Sequence, residues 1–404
     1  MTRVEEFGYG AVAPVEDWAT DWDYYNLGWS NDPFPIWEDL KSKCPMAHTG
    51  RYNEGVWLPL TYDQIDTIAH DTTTFSSAHN GLTAGGSGEP PNFPPIHTDP
   101  PEHLNIRRAI LPFFAPRAIE SWRPAITAHC EELAAAIATR GSGDAAIDYA
   151  QHIPVHAIAS ILGVDPVDGA KFRQWIIDFL VHGPLDVETR DRAAAETSAY
   201  MARQVSYRRE HPGDDLISHL ITVEIDGEPM TDDLIVRILV LQMVAGIDTT
   251  WSSIGAALWH LASHDDDRRR LVADPSMIPT AVEELLRAYA PVFVNRIVTQ
   301  DTVVDGVEIK QGDSVFMTFP IACRDETQFE RPNEVIIDRE KNRHVAFGSG
   351  IHRCLGSNLA RLEMTVAVET FLKHMPEYSL ADPDTVVWAP GQIRGPRSIP
   401  IVIP

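Results

Sequence analysis

The sequence predicts a mainly α-helical protein with a small β-rich portion. Residues 102 to 290 read as one helix after another, three short β-like runs crowd residues 293 to 323, and no convincing linker divides the chain. We therefore read residues 1–404 as a single domain, a length sufficient to bury a large core. Hydrophobic residues at 44% and charged residues at 23% are ordinary globular values, which suggest neither disorder nor a membrane protein.

Charge narrows the partners. With 33 Lys and Arg against 58 Asp and Glu the formal net charge is −25, which opposes nonspecific binding to nucleic acid or to an anionic membrane surface. The first 25 residues carry no apolar core of signal-peptide length. The most apolar internal run, Leu234 to Gly246, is short of a span and contains Arg237. A cytoplasmic location with small-molecule partners is expected. Cys44, Cys130, Cys323 and Cys354 lie far apart without C-x-x-C spacing, so neither a zinc knuckle nor a disulfide framework is indicated.

Taken in order, "PFPIWEDLKSKCP" reads as a helix, "GVWLPL" as a strand and "YDQIDTIAHD" as a second helix. Residues 80 to 101 are rich in Gly and Pro, which break both periodicities, and lack a phosphate-loop motif; a mobile flap is expected there. The helical region should break at Pro116, Pro124, Gly141–Gly143, Pro154, Gly163–Pro166, Gly183–Pro184, Pro212–Gly213, Gly227–Pro229 and Pro275. The β-like runs are "VNRIVTQD", "TVVDGVEI" and "SVFMTFPIA", joined by Asp-Gly and Gln-Gly turns.

Three segments could carry chemistry. Leu234, Ile238, Leu241, Ala245, Thr249 and Ser252 share one helix face, and "AGIDTT" at 245 to 250 turns that face polar. Gly, Asp and Thr weaken a helix, so something local must compensate. Two readings stand: a helix bend in which a hydroxyl bonds back to a carbonyl one turn earlier, or an acid–alcohol pair that relays protons. "EELLR" places Glu284 and Arg287 three apart, which alone means little. "HVAFGSGIHRCLGSNLARLE" puts Cys354 between a glycine-bracketed loop and the first turn of a helix, whose free N–H groups stabilise a thiolate. Such a thiolate could be a nucleophile or a metal ligand. His352 is badly placed as a base for the first, and a haem-iron ligand suits the second better, with Phe347 packed beside the sulfur.

These segments resemble the cytochrome P-450 superfamily of haem-thiolate monooxygenases in its soluble bacterial form. "FGSGIHRCLG" matches the family's cysteine loop, "AGIDTT" its oxygen-activating helix and "EELLR" its E-x-x-R motif, and the likeness extends over nearly the whole chain. The resemblance implies the P-450 fold, with haem b between the long distal helix and the helix after the cysteine. It makes Cys354 the proximal iron ligand and gives Asp248 and Thr249 proton delivery to dioxygen. His103, Arg107, Arg296 and His352 become propionate partners, and Glu284, Arg287 and Arg339 a buried structural network. The substrate pocket is expected at Leu241, Gln242, Val244, Ala245, Val292, Val294, Asn295 and Ile393, with Gln242, Asn295 and Gln392 as polar anchors.

The implied reaction inserts one atom of dioxygen into a small, mainly hydrophobic organic substrate, by hydroxylation or O-dealkylation, an aromatic or terpenoid compound being the guess. No flavin or iron–sulfur sequence follows Pro404, so the electrons are expected from a ferredoxin fed by a reductase, docking on Arg107, Arg108, Lys341, Arg343, Arg353 and Arg361. A monomer is expected. The acid–alcohol pair argues against a peroxide-driven relative of the same fold and against a non-catalytic haem sensor. Departures from the family pattern, Cys323, Val335 and Trp251, are expected to touch neither the ligand nor the relay.

Overall fold

The computed structural model describes residues 12–52, 55–78, 92–183 and 186–404. Most of the expected flap, residues 80 to 91, and the Pro184 break lie outside them.

The N-terminal part builds a sheet and two helices. Helix α1 (Phe34–Lys43) starts with Pro in its first turn, and α2 (Tyr62–His70) starts with a capping box in which Thr61 and Gln64 satisfy each other's backbone N–H groups. Strands β1 (Met46–Thr49), β2 (Val56–Pro59), β3 (Phe75–Ser76), β4 (Val294–Val298) and β5 (Ser314–Met317) form one sheet in the order β1-β2-β5-β4-β3. Its pairings are antiparallel except β2 with β5. The run "SVFMTFPIA" is thus a strand for its first four residues only; Phe319–Ala322 turn into a short helix, with Pro320 in the first turn where its missing N–H costs nothing.

The helical region holds α3 (Glu102–Phe114), α4 (Arg123–Arg140), α5 (His152–Leu162), α6 (Gly169–Ile177), α7 (Val187–Glu210), α8 (Asp232–Ser263), α9 (Ile278–Ala288) and α10 (Ser357–His374). Pro124 and Pro154, expected as breaks, instead fall within the first turn of α4 and α5, where no intrahelical N–H partner is lost. A hairpin of β6 (Val387–Trp388) and β7 (Pro396–Ser398) closes against α8.

Helix α8 organises the rest. Thr231 caps it by accepting from the Leu234 N–H, and Asp232 and Asp233 sit at its positive end. It packs against α5, α7 and α10. Gly246 has a packing reason: a Cβ there would lie 2.4 Å from Ile158 Cδ1 of α5. The helix is long and apolar enough to cross a membrane by composition, but two thirds of its most apolar window (67%) is buried inside the protein, as in a core helix.

Candidate active site

A single cavity brings together the middle of α8, the start of α3, β4 and the loop that precedes α10. Its empty space, open solvent at the mouth included, is about 1390 Å³.

Backbone geometry sets the sulfur. The Cys354 N–H donates to Phe347 O at 2.8 Å and the Gly348 N–H to Val345 O at 2.8 Å, so the loop folds back on itself beneath the cavity. Gly348 and Gly350 take φ of 75° and 68°, and a Cβ on Gly350 would sit 2.2 Å from Ala69 O. No other residue fits there. The Cys354 sulfur opens onto the cavity; the protein packed around it pushes the thiol up, while the Gly356 N–H at the head of α10 and the charges of Arg107, Arg353 and Arg361 pull it down. An incoming cation would tip that balance to thiolate. Among the described residues no group of three or more His, Cys, Asp or Glu is placed to hold a metal ion.

Nearby lies a corner of basic side chains with no carboxylate in the cavity lining, Asp99 being the acid that acts on it from behind. His103, Arg107, Arg296 and His352 all face the cavity. Arg107 Nη2 donates to Arg353 O at 2.5 Å, Arg296 Nη1 to Asn295 O at 2.7 Å, and His352 Nε2 meets Ser77 Oγ at 2.9 Å. Neither ring nitrogen of His103 has a partner among the described residues. Burial, reinforced by Arg107, holds His103 down to about 4, and burial with Arg296 holds His352 to about 2. A ligand with two carboxylates would reverse each of these penalties. A haem supplies two carboxylates and an iron that takes one thiolate, so the residues present fit it.

On α8, Thr249 faces the cavity and its hydroxyl donates to Ala245 O at 2.7 Å, the one-turn back-bond expected of a helix bend. The two readings of "AGIDTT" are therefore compatible, since the bond turns the hydroxyl's lone pairs outward. Asp248 does not line the cavity. Its carboxylate is buried in an ion pair, Arg397 Nη2 to Asp248 Oδ1 at 2.7 Å. Burial raises its pKa and Arg397 opposes the rise. Nothing in the spacing of the sequence links Arg397, near the C-terminus, to α8.

The other site residues divide by element geometry. Leu241, Gln242, Ala245, Val292 and Val294 line the cavity. Val244 does not, because the helical turn carries it into the core. Asn295 is a correction: alternation along β4 points Val294 and Arg296 at the cavity and turns Asn295 to the other face, where its Nδ2 donates to Ser314 Oγ at 3.3 Å. Ile393 pairs with Val292 in an isolated bridge but stays off the wall, and Gln392 engages by its backbone oxygen with the Phe293 N–H, so only Gln242 of the three anchors reaches the cavity.

Behind the cysteine loop, Glu284 accepts from Arg287 at 2.8 Å through both oxygens, from Arg339 at 2.9 Å and from the Ile336 N–H at 2.8 Å. The remaining Arg287 donors go to Cys323 O, Pro332 O and Glu334 O. Neighbouring Glu283, unremarked in the sequence, binds Arg361 at 2.6 and 2.9 Å and His344 at 3.1 Å, and these partners hold its carboxyl down to about 2 against the effect of burial. Arg361, its guanidinium 4.5 Å from the Phe347 ring, is thereby removed from the expected docking patch. Trp251 is a second correction: it touches the acid–alcohol pair at one remove, its ring 4.4 Å from the Arg397 guanidinium.

A lone thiol beneath a cation corner, under a helix carrying an alcohol, defines a haem-thiolate protein. Comparison with known proteins agrees. The Cytochrome P450 family model matches residues 272–377. The chain is 33% identical over 380 residues to cytochrome P450 monooxygenase PikC of Streptomyces venezuelae (92% of this chain, 91% of that one). It is 32% identical over 367 residues to the mycinamicin IV hydroxylase/epoxidase of Micromonospora griseorubida (87% and 90%). Among solved structures, the Bacillus subtilis cytochrome P450 PksS superposes with a TM-score of 0.85 at 29% identity (95% and 99%), and CYP101J2 with 0.87 at 26% (98% and 100%). The chain belongs to the cytochrome P450 family, whose members are haem b-dependent monooxygenases.

Proposed function

We propose that this P450 hydroxylates or O-dealkylates a small, mainly hydrophobic substrate, with Cys354 as the iron ligand, electrons from a ferredoxin and its reductase, and protons moved by Thr249 and Asp248. The observation that carries the reading is that Cys354, Thr249 and the corner formed by His103, Arg107, Arg296 and His352 open into one cavity. Bound haem supplies dioxygen activation. The chain supplies the rest. Leu241, Ala245, Val292 and Val294 exclude water and hold an apolar body, and Gln242 offers it one polar anchor. An aromatic or terpenoid skeleton suits such a wall. Thr249, its own proton given to Ala245 O, presents an acceptor to a proton-bearing oxygen in the cavity.

Arg108, Lys341, Arg343 and Arg353 are exposed, and none is in an ion pair among the described residues; they support docking of an acidic ferredoxin despite the net charge of −25. We read the chain as a single-domain, cytoplasmic monomer; relatives that match it over about nine tenths of its length support the single-domain part of that reading.

Two variants test the proposal. In Cys354→His the reduced carbon-monoxide complex should lose the red-shifted Soret band of a thiolate ligand; an unchanged spectrum sinks the assignment. In Thr249→Ala haem content and substrate binding should persist while reductant consumption diverts severalfold into hydrogen peroxide. Parental coupling of reductant to product in that variant would rule out its role.

A further inference from the structure

Tyr289 is a buried phenol for which the reaction described above has no use. It caps the C-terminal end of α9, three residues beyond Leu286 and two before Pro291, both of which line the cavity. Its hydroxyl lies 2.9 Å from Nδ1 of the fully buried His260, near the end of α8. On the other side of that ring, Nε2 lies 3.0 Å from Asp267 Oδ2 in the helix Asp265–Ala273. A carboxylate only accepts, so Nε2 carries the hydrogen, Nδ1 is bare and the phenol donates to it.

Satisfying a buried hydroxyl does not require this chain of groups. Tyr149 and Tyr378, also buried, donate to the backbone oxygens of Ala367 and Leu258, which take up no proton near neutral pH. His260 can take one up. Burial holds its pKa below the ordinary value, so the ring is neutral, while Asp267 opposes that effect and would balance an imidazolium. Burial raises the Tyr289 value to about 12, and the charges of Arg324, Arg394 and Arg287 act in the direction of proton loss.

Neighbouring rings are placed differently. Trp251 and Trp388 each lie under a guanidinium, that of Arg397 at 4.4 Å and that of Arg394 at 4.1 Å from the ring centre. A cation so close opposes removal of an electron from the ring. A tyrosine that releases its proton together with the electron becomes a neutral radical and avoids that penalty. Next to Tyr289, the half-buried Trp259 stands edge-on with its ring centre 5.7 Å away, towards the surface.

We propose that Tyr289, His260 and Asp267 form a redox-active tyrosine site, which drains oxidising equivalents from the haem when no substrate consumes them. The step balances in atoms and electrons. One electron passes from the phenol to a haem over-oxidised by peroxide or by an unproductive turn of the cycle, and the haem is reduced by one. The phenolic O–H bond breaks, and the proton forms an N–H bond at His260 Nδ1, across the ring from Asp267. One electron from a soluble thiolate, entering through Trp259 as the proton returns, restores the phenol. The site needs bound haem, and neither the relay at Thr249 and Asp248 nor a particular substrate.

The test mixes the substrate-free holoprotein with a peracid and freezes it rapidly. Electron paramagnetic resonance should show an organic radical whose hyperfine splitting collapses when the tyrosines are ring-deuterated, and which forms more slowly in deuterium oxide. Tyr289→Phe should bind haem with the parental carbon-monoxide spectrum, lose most of that signal and bleach its haem severalfold faster than the parent. His260→Gln can still accept the phenol's hydrogen bond but takes up no proton. It should lose the signal too, which keeps the test decisive if Tyr289→Phe loads haem poorly. No tyrosyl signal in the parent, a signal of parental size in either variant, or equal bleaching of parent and Tyr289→Phe would overturn the proposal and leave the three residues as a buried hydrogen-bond chain. The carbon-monoxide spectrum of the parent reads the haem-thiolate assignment separately, so failure of that assignment and failure of the tyrosine site are distinguishable.

Discussion

Two buried clusters of charge lie on either side of the cysteine loop, and they are solved in opposite ways. Behind the loop all five Arg287 donors find acceptors in Glu284 and in three backbone carbonyls, and Glu284 also serves Arg339. In front of it, His103, Arg107, Arg296 and His352 gather in the cavity wall with no carboxylate among them, and burial depresses the His103, His352 and Arg296 values. A cluster that closes on itself is architecture. One that crowds basic side chains into a wall without an acid describes the ligand it awaits. Asp248 with Arg397 is an intermediate case, closed on itself yet one residue from the cavity.

The sharpest way to break this contrast is to delete one arginine from each cluster. Arg287→Ala removes the two-point partner of the fully buried Glu284 carboxylate, leaving it to Arg339 and the Ile336 N–H, and should cost up to about 3–5 kcal/mol, a large share of a domain's stability. Thermal unfolding would show a collapse of the transition, and little haem-loaded protein should be recovered. Arg296→Gln should leave the melting of the haem-free chain near that of the parent and instead weaken haem, by about tenfold to a hundredfold if one charge-assisted bond of about 1.5–3 kcal/mol is lost. Equal effects of the two variants on haem-free stability would erase the distinction.

A smaller effect follows from His103. Its folded-state value of about 4 lies below the ordinary value, so between pH 6.5 and about 4 the unfolded chain binds a proton that the folded chain refuses. Stability of the haem-free protein should therefore fall as pH falls through that window. Haem carboxylates beside the ring favour its charged form, so the holoprotein should lose less over the same range. His103→Phe should flatten the haem-free profile; a profile as steep as the parent's would place the titration elsewhere.

How much of this was legible in the sequence depended on whether a contact is local. The cysteine loop and Thr249 declare themselves within a few residues, where glycine conformation and helical period fix geometry, whereas His103 and Arg107 are indicated only by the family resemblance. Strand alternation would have excluded Asn295 once Val294 and Arg296 were assigned to the cavity, a rule available from the sequence and left unapplied. Pro124 and Pro154 misled because proline breaks a helix only beyond its first turn. Arg397 could not be found that way: its pairing with Asp248 spans the chain from the middle of α8 to β7, and no periodicity carries over that separation.

The smallest expected effect lies on the surface, where the contrast between closed and open charge applies once more. Of the six basic residues assigned to ferredoxin docking, Arg361 is closed by Glu283, and Arg107 lines the cavity and binds Arg353 O. Arg108, Lys341, Arg343 and Arg353 stay exposed, and the bond from Arg107 to Arg353 O brings the start of α3 against the loop. Charges farther apart than about 8 Å are largely screened at physiological salt, so this local patch, and not the net charge of −25, should govern the encounter with an acidic partner. Single rim charges change association rates more than the affinity of the docked complex. Arg108→Glu and Arg353→Glu should each raise the apparent KM for ferredoxin severalfold, leave substrate binding unchanged, and lose their effect as ionic strength rises. Arg361→Glu should behave differently, lowering haem retention or melting temperature, because it sets a carboxylate against Glu283 beneath the Phe347 ring. If all three reversals altered only the ferredoxin KM, Arg361 would belong to the open class after all; if none did, the electron would enter from another face.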